Sequence, residues 1–187
     1  MRGRRAGRRT SLTEKTVAAS IRVNEKVYSE LQREAKESDE SLNTLINQIL
    51  RFETEFAATA RKIGTQAITR RTYRSLLEAM DDEEIARAGR TAGANTPKDF
   101  IESKYGHINL ENVLNFLRVF SVYGRSWDYT ETTHEDKTTI VLNHIMGRKY
   151  SLFTASYMAS LFETIRLEPR ISTSESSVII ELSGTRA

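Results

Sequence analysis

One alternating stretch, Thr16-Val-Ala-Ala-Ser-Ile-Arg-Val23, stands directly ahead of two helical runs and limits what this end of the chain can become. Val17, Ala19, Ile21 and Val23 fall on one side of it, and Thr16, Ala18, Ser20 and Arg22 on the other, which is the period of a half-exposed strand. Asn24 stands at an N-cap position for a helix through Ser38, with Val27, Leu31 and Ala35 at helical spacing. Ser41 is placed to cap a second helix, whose apolar stripe is Leu42, Leu45, Ile46, Ile49, Leu50 and Phe56. A lone strand leaves a row of backbone donors and acceptors unpaired, and a helical hairpin of about forty residues buries too little apolar area to stand alone. Such a unit requires a partner. A second copy is the economical one: two strands pair antiparallel about a two-fold axis, and the helices of both chains pack beneath them. Ile21, Val23, Val27, Leu31, Leu45, Ile46 and Ile49 then form the core of a homodimer.

The order Ser-Ile-Arg-Val-Asn-Glu-Lys-Val, a helix, then Glu-Ser-Leu-Asn-Thr-Leu-Ile-Asn-Gln-Ile-Leu resembles the ribbon-helix-helix repressors, the family of the Arc and methionine repressors. The likeness covers about a quarter of the chain and is a pattern of residue types rather than a fixed string. In that family an intersubunit β-ribbon enters the major groove and the start of the second helix grips a phosphate. The resemblance implies that Ala18, Ser20 and Arg22 face the bases, and that Thr16, Ser41, Leu42 and Asn43 lie at the backbone phosphates. The chemistry agrees, since arginine can bond guanine O6 and N7 together and a helix start suits an anion through its free amides. Ala18 departs from the family, where that position is usually polar, and offers only a methyl contact.

Charge adds to this reading. Arg2, Arg4, Arg5, Arg8 and Arg9 supply five of the 28 basic residues; setting them aside leaves 23 basic against 25 acidic residues, a net charge of −2. The basicity is therefore an arm, expected to be disordered over residues 1–12 and to seek phosphates. The DNA-binding and dimerisation domain is expected over residues 13–60, and the break at residues 61–66, with Gly64 in it, marks its end.

A second domain of unknown role is expected over residues 66–184. Thr69 can cap a helix carrying Tyr73, Leu76, Leu77 and Met80; Asp81 with Glu84 reads as a capping box for a short helix through Ala92; Thr96-Pro97 starts another, and Asn109 opens a fourth. The period then changes to two. Residues 126–132 and 137–144 form one hairpin, a long helix from Lys149 is stopped by Pro169, and residues 170–173 and 177–182 form a second hairpin. The expected fold class is thus an N-terminal ribbon-helix-helix followed by an α+β domain with a small antiparallel sheet.

No catalytic constellation accompanies these elements, so the chain does not read as an enzyme, and no cofactor is called for. His107, His134 and His144 have no metal-ligand spacing and the chain has no cysteine, which leaves no metal site and no disulfide. Two further features admit a functional and a structural reading. The turn His144-Ile-Met-Gly147-Arg-Lys-Tyr-Ser151 is either an anion cradle or an ordinary strand-to-helix connection, and Trp127, Tyr129, Phe153, Tyr157 and Phe162 either line a pocket or fill a core. With no apolar run long enough to span a membrane, the expectation is a cytoplasmic, DNA-associated transcriptional regulator. Its partners are double-stranded DNA and a second copy, with higher assembly on DNA, and a small-molecule or protein effector at the second domain, left open. The alternatives are an antitoxin- or partition-type adaptor whose C-terminal domain holds another protein, and a small enzyme tethered to DNA.

Overall fold

The computed structural model describes residues 16–183, and every strand in that span begins at Asp128 or later. Seven α-helices come first or between strands among the described residues: α1 (Glu25–Glu37), α2 (Leu42–Phe52), α3 (Ala58–Lys62), α4 (Arg70–Glu78), α5 (Asp82–Tyr105), α6 (Leu110–Val122) and α7 (Arg148–Glu163). A π-helical turn, Glu53–Ala57, joins α2 to α3. The strands are β1 (Asp128–His134), β2 (Lys137–Asn143), β3 (Arg170–Thr173) and β4 (Ser177–Ser183). The chain divides into two compact units, Met1–Ile46 and Asn47–Ala187.

The expected N-terminal ribbon is absent, and with it the ribbon-helix-helix assignment of fold class. Residues 16–24 carry no regular structure, and none of them pairs with any of the four strands. Alternation reports which side chains share a face; a strand also needs a neighbour to take its backbone hydrogen bonds, and no strand among the described residues offers one to this segment. The first two helices, by contrast, start where their capping residues stand. Asn24 accepts from the Lys26 amide to cap α1, and Ser41 Oγ accepts from the Thr44 amide at 3.0 Å to cap α2. Between them, Asp39 turns the chain at φ 54°.

The second unit is an antiparallel sheet, of order β1-β2-β4-β3, with helices on one face. Thr138, Ile140 and Leu142 of β2 lie opposite Leu182, Ile180 and Val178 of β4, so one row of side chains faces the helices. Phe100 and Ile101 of α5, Val113, Phe116 and Leu117 of α6, and Met158, Leu161 and Phe162 of α7 meet that row, all of them fully buried. Each such side chain contributes roughly 1.5–3 kcal/mol on leaving water, which makes this layer contact the anchor of the unit. The Trp127 and Tyr157 rings belong to the same core.

Two helix boundaries differ from expectation. The short helix after Asp81 and the helix expected from Thr96 are one: α5 runs through Pro97 for 24 residues. A proline costs the hydrogen bond to the carbonyl four residues back, here that of Gly93, and burial of Pro97 and Phe100 against the core outweighs it. Likewise α7 ends at Glu163, well before Pro169, because Thr164 Oγ1 turns back onto the Leu161 carbonyl at 2.6 Å and Arg166 takes φ 59°.

Candidate functional site

Most of the residues expected at the DNA or at the dimer seam are exposed, and all of the described ones but Ile49 fall in the N-terminal unit. Thr16, Ala18, Ser20 and Arg22 are exposed on the extended stretch, with Ile21 at 66% exposure and Val23 half-buried. On α1, Val27 is 47% exposed and Leu31 half-buried; on α2, Leu45 is buried, Ile46 half-buried and Ile49 exposed. Ser41 and Asn43 are exposed at the start of α2, and Leu42 beside them is half-buried. Only Ala35 and Leu45 are buried hydrophobic side chains in this unit among the described residues. The arginines of the arm, Arg2, Arg4, Arg5, Arg8 and Arg9, lie outside the described residues.

In the second unit the built site is a cleft of about 510 Å³ between the π-helical turn, the segment after α3, and the C-terminal end of α6. The π-turn sets Phe52 and Phe56 against α6: Phe56 meets Phe120 edge-on at 5.2 Å, and Phe52 lies 5.7 Å from Tyr123. π-Turns inside helices recur at functional sites because they re-aim side chains that a regular helix would present elsewhere. Tyr123 is oriented by donating to Glu55 at 2.8 Å. Tyr73 and Tyr150 close the far wall, edge to face at 5.8 Å.

The cleft's charge is one-sided. Arg61, Arg70 and Arg125 line it, and no aspartate or glutamate does. Arg61 is already paired with Glu53 through both of its terminal nitrogens. Arg70, at the first turn of α4, donates to the Arg125 carbonyl, and neither Arg70 nor Arg125 has a carboxylate partner among the described residues. A second cleft, of about 370 Å³, shares Arg70, Arg125, Ser126 and Met146 with the first and is bordered by Trp127 and His144.

The tyrosines there are neutral donors. Burial pushes the Tyr73 phenol well above its ordinary range, and the nearby Tyr150 adds to the effect. Burial likewise raises Tyr150 to about 12, partly offset by its hydrogen bonds and the charge of Arg70. Tyr150 spends its proton on the Ser126 carbonyl at 3.0 Å, whereas the Tyr73 hydroxyl has no hydrogen-bond partner among the described residues.

The His144 turn resolves into structure. His144 Nδ1 accepts from the Met146 amide at 3.3 Å, which places its proton on Nε2, facing Ser151 Oγ at 2.9 Å. Arg148 Nη2 donates to both carboxylate oxygens of Asp82, at 2.8 and 2.9 Å, and Lys149 donates to the Glu78 and Met80 carbonyls at the end of α4. With both cations engaged, the strand-to-helix connection has no open anion cradle. His107 contacts Asn109, His134 ends β1, and no group of three or more potential ligands that could hold a metal occurs among the described residues.

Of the aromatic residues singled out in sequence, Trp127, Tyr157 and Phe162 are core, and Tyr129 and Phe153 pack against it. The cleft uses Phe52, Phe56, Tyr73, Phe120, Tyr123 and Tyr150 instead. Their helical spacing carries no sign of it, because the site is assembled from segments distant in sequence; the one local signal is Phe52, an aromatic residue that the apolar stripe ending in Phe56 leaves out. In comparison with known proteins, no family model and no curated sequence matches the chain. No helix of the described residues is long and apolar enough to cross a membrane.

Proposed function

We propose that this protein is a homodimeric, sequence-specific DNA-binding regulator that acts in the cytoplasm, with its N-terminal unit as the DNA-binding and dimerisation part. The observation that carries the reading is the open apolar surface of that unit. Val17 at 85% exposure, Ile21 at 66% and Val27 at 47% sit beside a core of two buried hydrophobic side chains. A unit this small cannot meet its conformational entropy from so little burial, and a second copy supplies apolar surface of matching extent.

DNA is the ligand that the adjoining charge favours. Five arginines fall among the first nine residues, which hold no acid, and Arg22 is exposed further along the same unit. In this reading the arm and Arg22 reach the duplex, with Arg22, Ser20 and Ala18 meeting base edges. Thr16 and the start of α2 at Ser41, Leu42 and Asn43 meet phosphates.

Selection from a random-duplex pool with the full chain, alongside sedimentation equilibrium, tests the reading. A dimer at micromolar concentration and a two-fold symmetric consensus are expected. A monomer that enriches no sequence overturns it.

A further inference from the structure

We propose that the larger cleft of the second unit binds a small amphipathic carboxylate, the Arg70 and Arg125 guanidinium groups taking its head group and the Phe52, Phe56, Phe120 and Tyr123 rings taking its apolar body. Three observations on that cleft converge on this class of ligand.

Its volume, about 510 Å³, falls in the range of roughly 300–1,000 Å³ typical of small-molecule sites, and aromatic side chains from three separate elements form its floor. A purely apolar ligand would need no cations. Here two exposed arginines without carboxylate partners border the same cavity, in a lining that holds no acidic residue, so the site presents positive charge that an anion can pair. Guanidinium groups suit a carboxylate because their planar N–H forks match its two oxygens.

The third observation is the backbone. Arg125 stands at φ 48°, a left-handed conformation that costs a side-chain-bearing residue about 1–2 kcal/mol and that glycine would adopt freely. Gly124 immediately precedes it, and yet the strained position carries the arginine. Strain of this kind collects where a side chain must be aimed. The hydroxyl of the half-buried Tyr73, still holding its proton, adds a neutral donor on the facing wall. An ammonium or neutral ligand would leave the arginines unmatched, and a polypeptide would have to bring its own acid to the same point.

Titration calorimetry of the full chain with decanoate, 1-decanol and decylamine, each below its solubility or micellar limit, decides between these. Fluorescence of Trp127, the chain's one tryptophan and a wall of the neighbouring cleft, provides a second readout. Decanoate is expected to bind one per chain, at least tenfold tighter than the alcohol or the amine. Arg70→Gln and Arg125→Gln should each weaken decanoate tenfold or more and leave decanol within twofold, whereas Phe52→Ala, at a partly exposed position, should weaken both. Equal binding of the three probes, unsaturable uptake, no decanoate binding, or arginine variants that bind it as well as wild type would each overturn the proposal. The measurement is made without DNA, so its outcome and that of the DNA-binding reading are separate.

Discussion

The Arg70 guanidinium donates through Nη2 to the main-chain carbonyl of Arg125 at 3.1 Å, tying the first turn of α4 to the bend after α6. The bond uses Arg125's backbone, not its side chain, so the two functions of residue 125 are separable. Arg125→Gly keeps the carbonyl and removes the left-handed strain at φ 48°. Chemical unfolding of this variant should show unchanged stability or a gain of roughly 1 kcal/mol; a loss of that size would mean the side chain itself holds the bend.

α5 and α7 approach each other through glycine. A Cβ at Gly93 would lie 2.1 Å from the Tyr157 carbonyl oxygen and 2.7 Å from its Cα, and one at Gly89 would lie 2.5 Å from the Phe153 carbonyl oxygen. These obstacles are helix backbone, which cannot swing aside as a side-chain end can. Gly93→Ala should therefore cost about 3 kcal/mol or more, at the upper end of overpacking penalties, and should lower the thermal midpoint sharply. Ala94→Gly, at an exposed position on the same helix, controls for helix propensity and should cost only about 1 kcal/mol.

Much of this fold is written in local signals. Asn24, Ser41, Thr69, Asp81 and Asn109 each cap the helix their position announces, and β3 and β4 fall within a residue of where alternation puts them, since those decisions rest on neighbours in sequence. The errors concern what lies far away along the chain. Residues 16–23 alternate as a strand does, but nothing local reveals whether a partner strand exists. Pro97 reads as a helix start until Phe100 is known to be buried in a core that α5 must pass without a break. The cleft is the extreme case, because Phe52, Tyr73, Phe120 and Arg125 come from four segments and only tertiary packing brings them together.

His144 makes stability depend on pH in a narrow window. Burial holds its imidazole below the ordinary 6.5, and the Met146 amide on Nδ1 opposes a second proton. As pH falls below about 6.5 the unfolded chain takes up this proton while the native one resists, so stability present above 6.5 is lost as pH drops through the native value. Glu53 and Glu181, held below 4.5 by hydrogen bonds from Arg61 and Lys137, act only in a more acidic range. Urea midpoints measured from pH 7.5 to pH 5 should thus decline for wild type and stay flatter for His144→Gln; parallel curves would assign the decline to another group.

The arm and Arg22 should separate affinity from choice of sequence. Each phosphate that a basic residue neutralises adds about 0.9 to the slope of log affinity against log salt, since condensed counterions are released on binding. Deleting residues 2–9 removes five arginines, so the slope should fall by up to about 4.5, with all duplexes weakened alike. Arg22→Ala removes one exposed guanidinium from the stretch proposed to meet base edges. It should lower the slope by no more than about 1, while reducing preference for the selected site by about 1–3 kcal/mol, the worth of one good bidentate contact. Fluorescence anisotropy on the selected duplex and a scrambled one, across a salt series, gives both quantities from the same titrations. If deletion of the arm shifted preference and Arg22→Ala only the slope, the two roles would be exchanged, and base reading would belong to the arginines that precede residue 16.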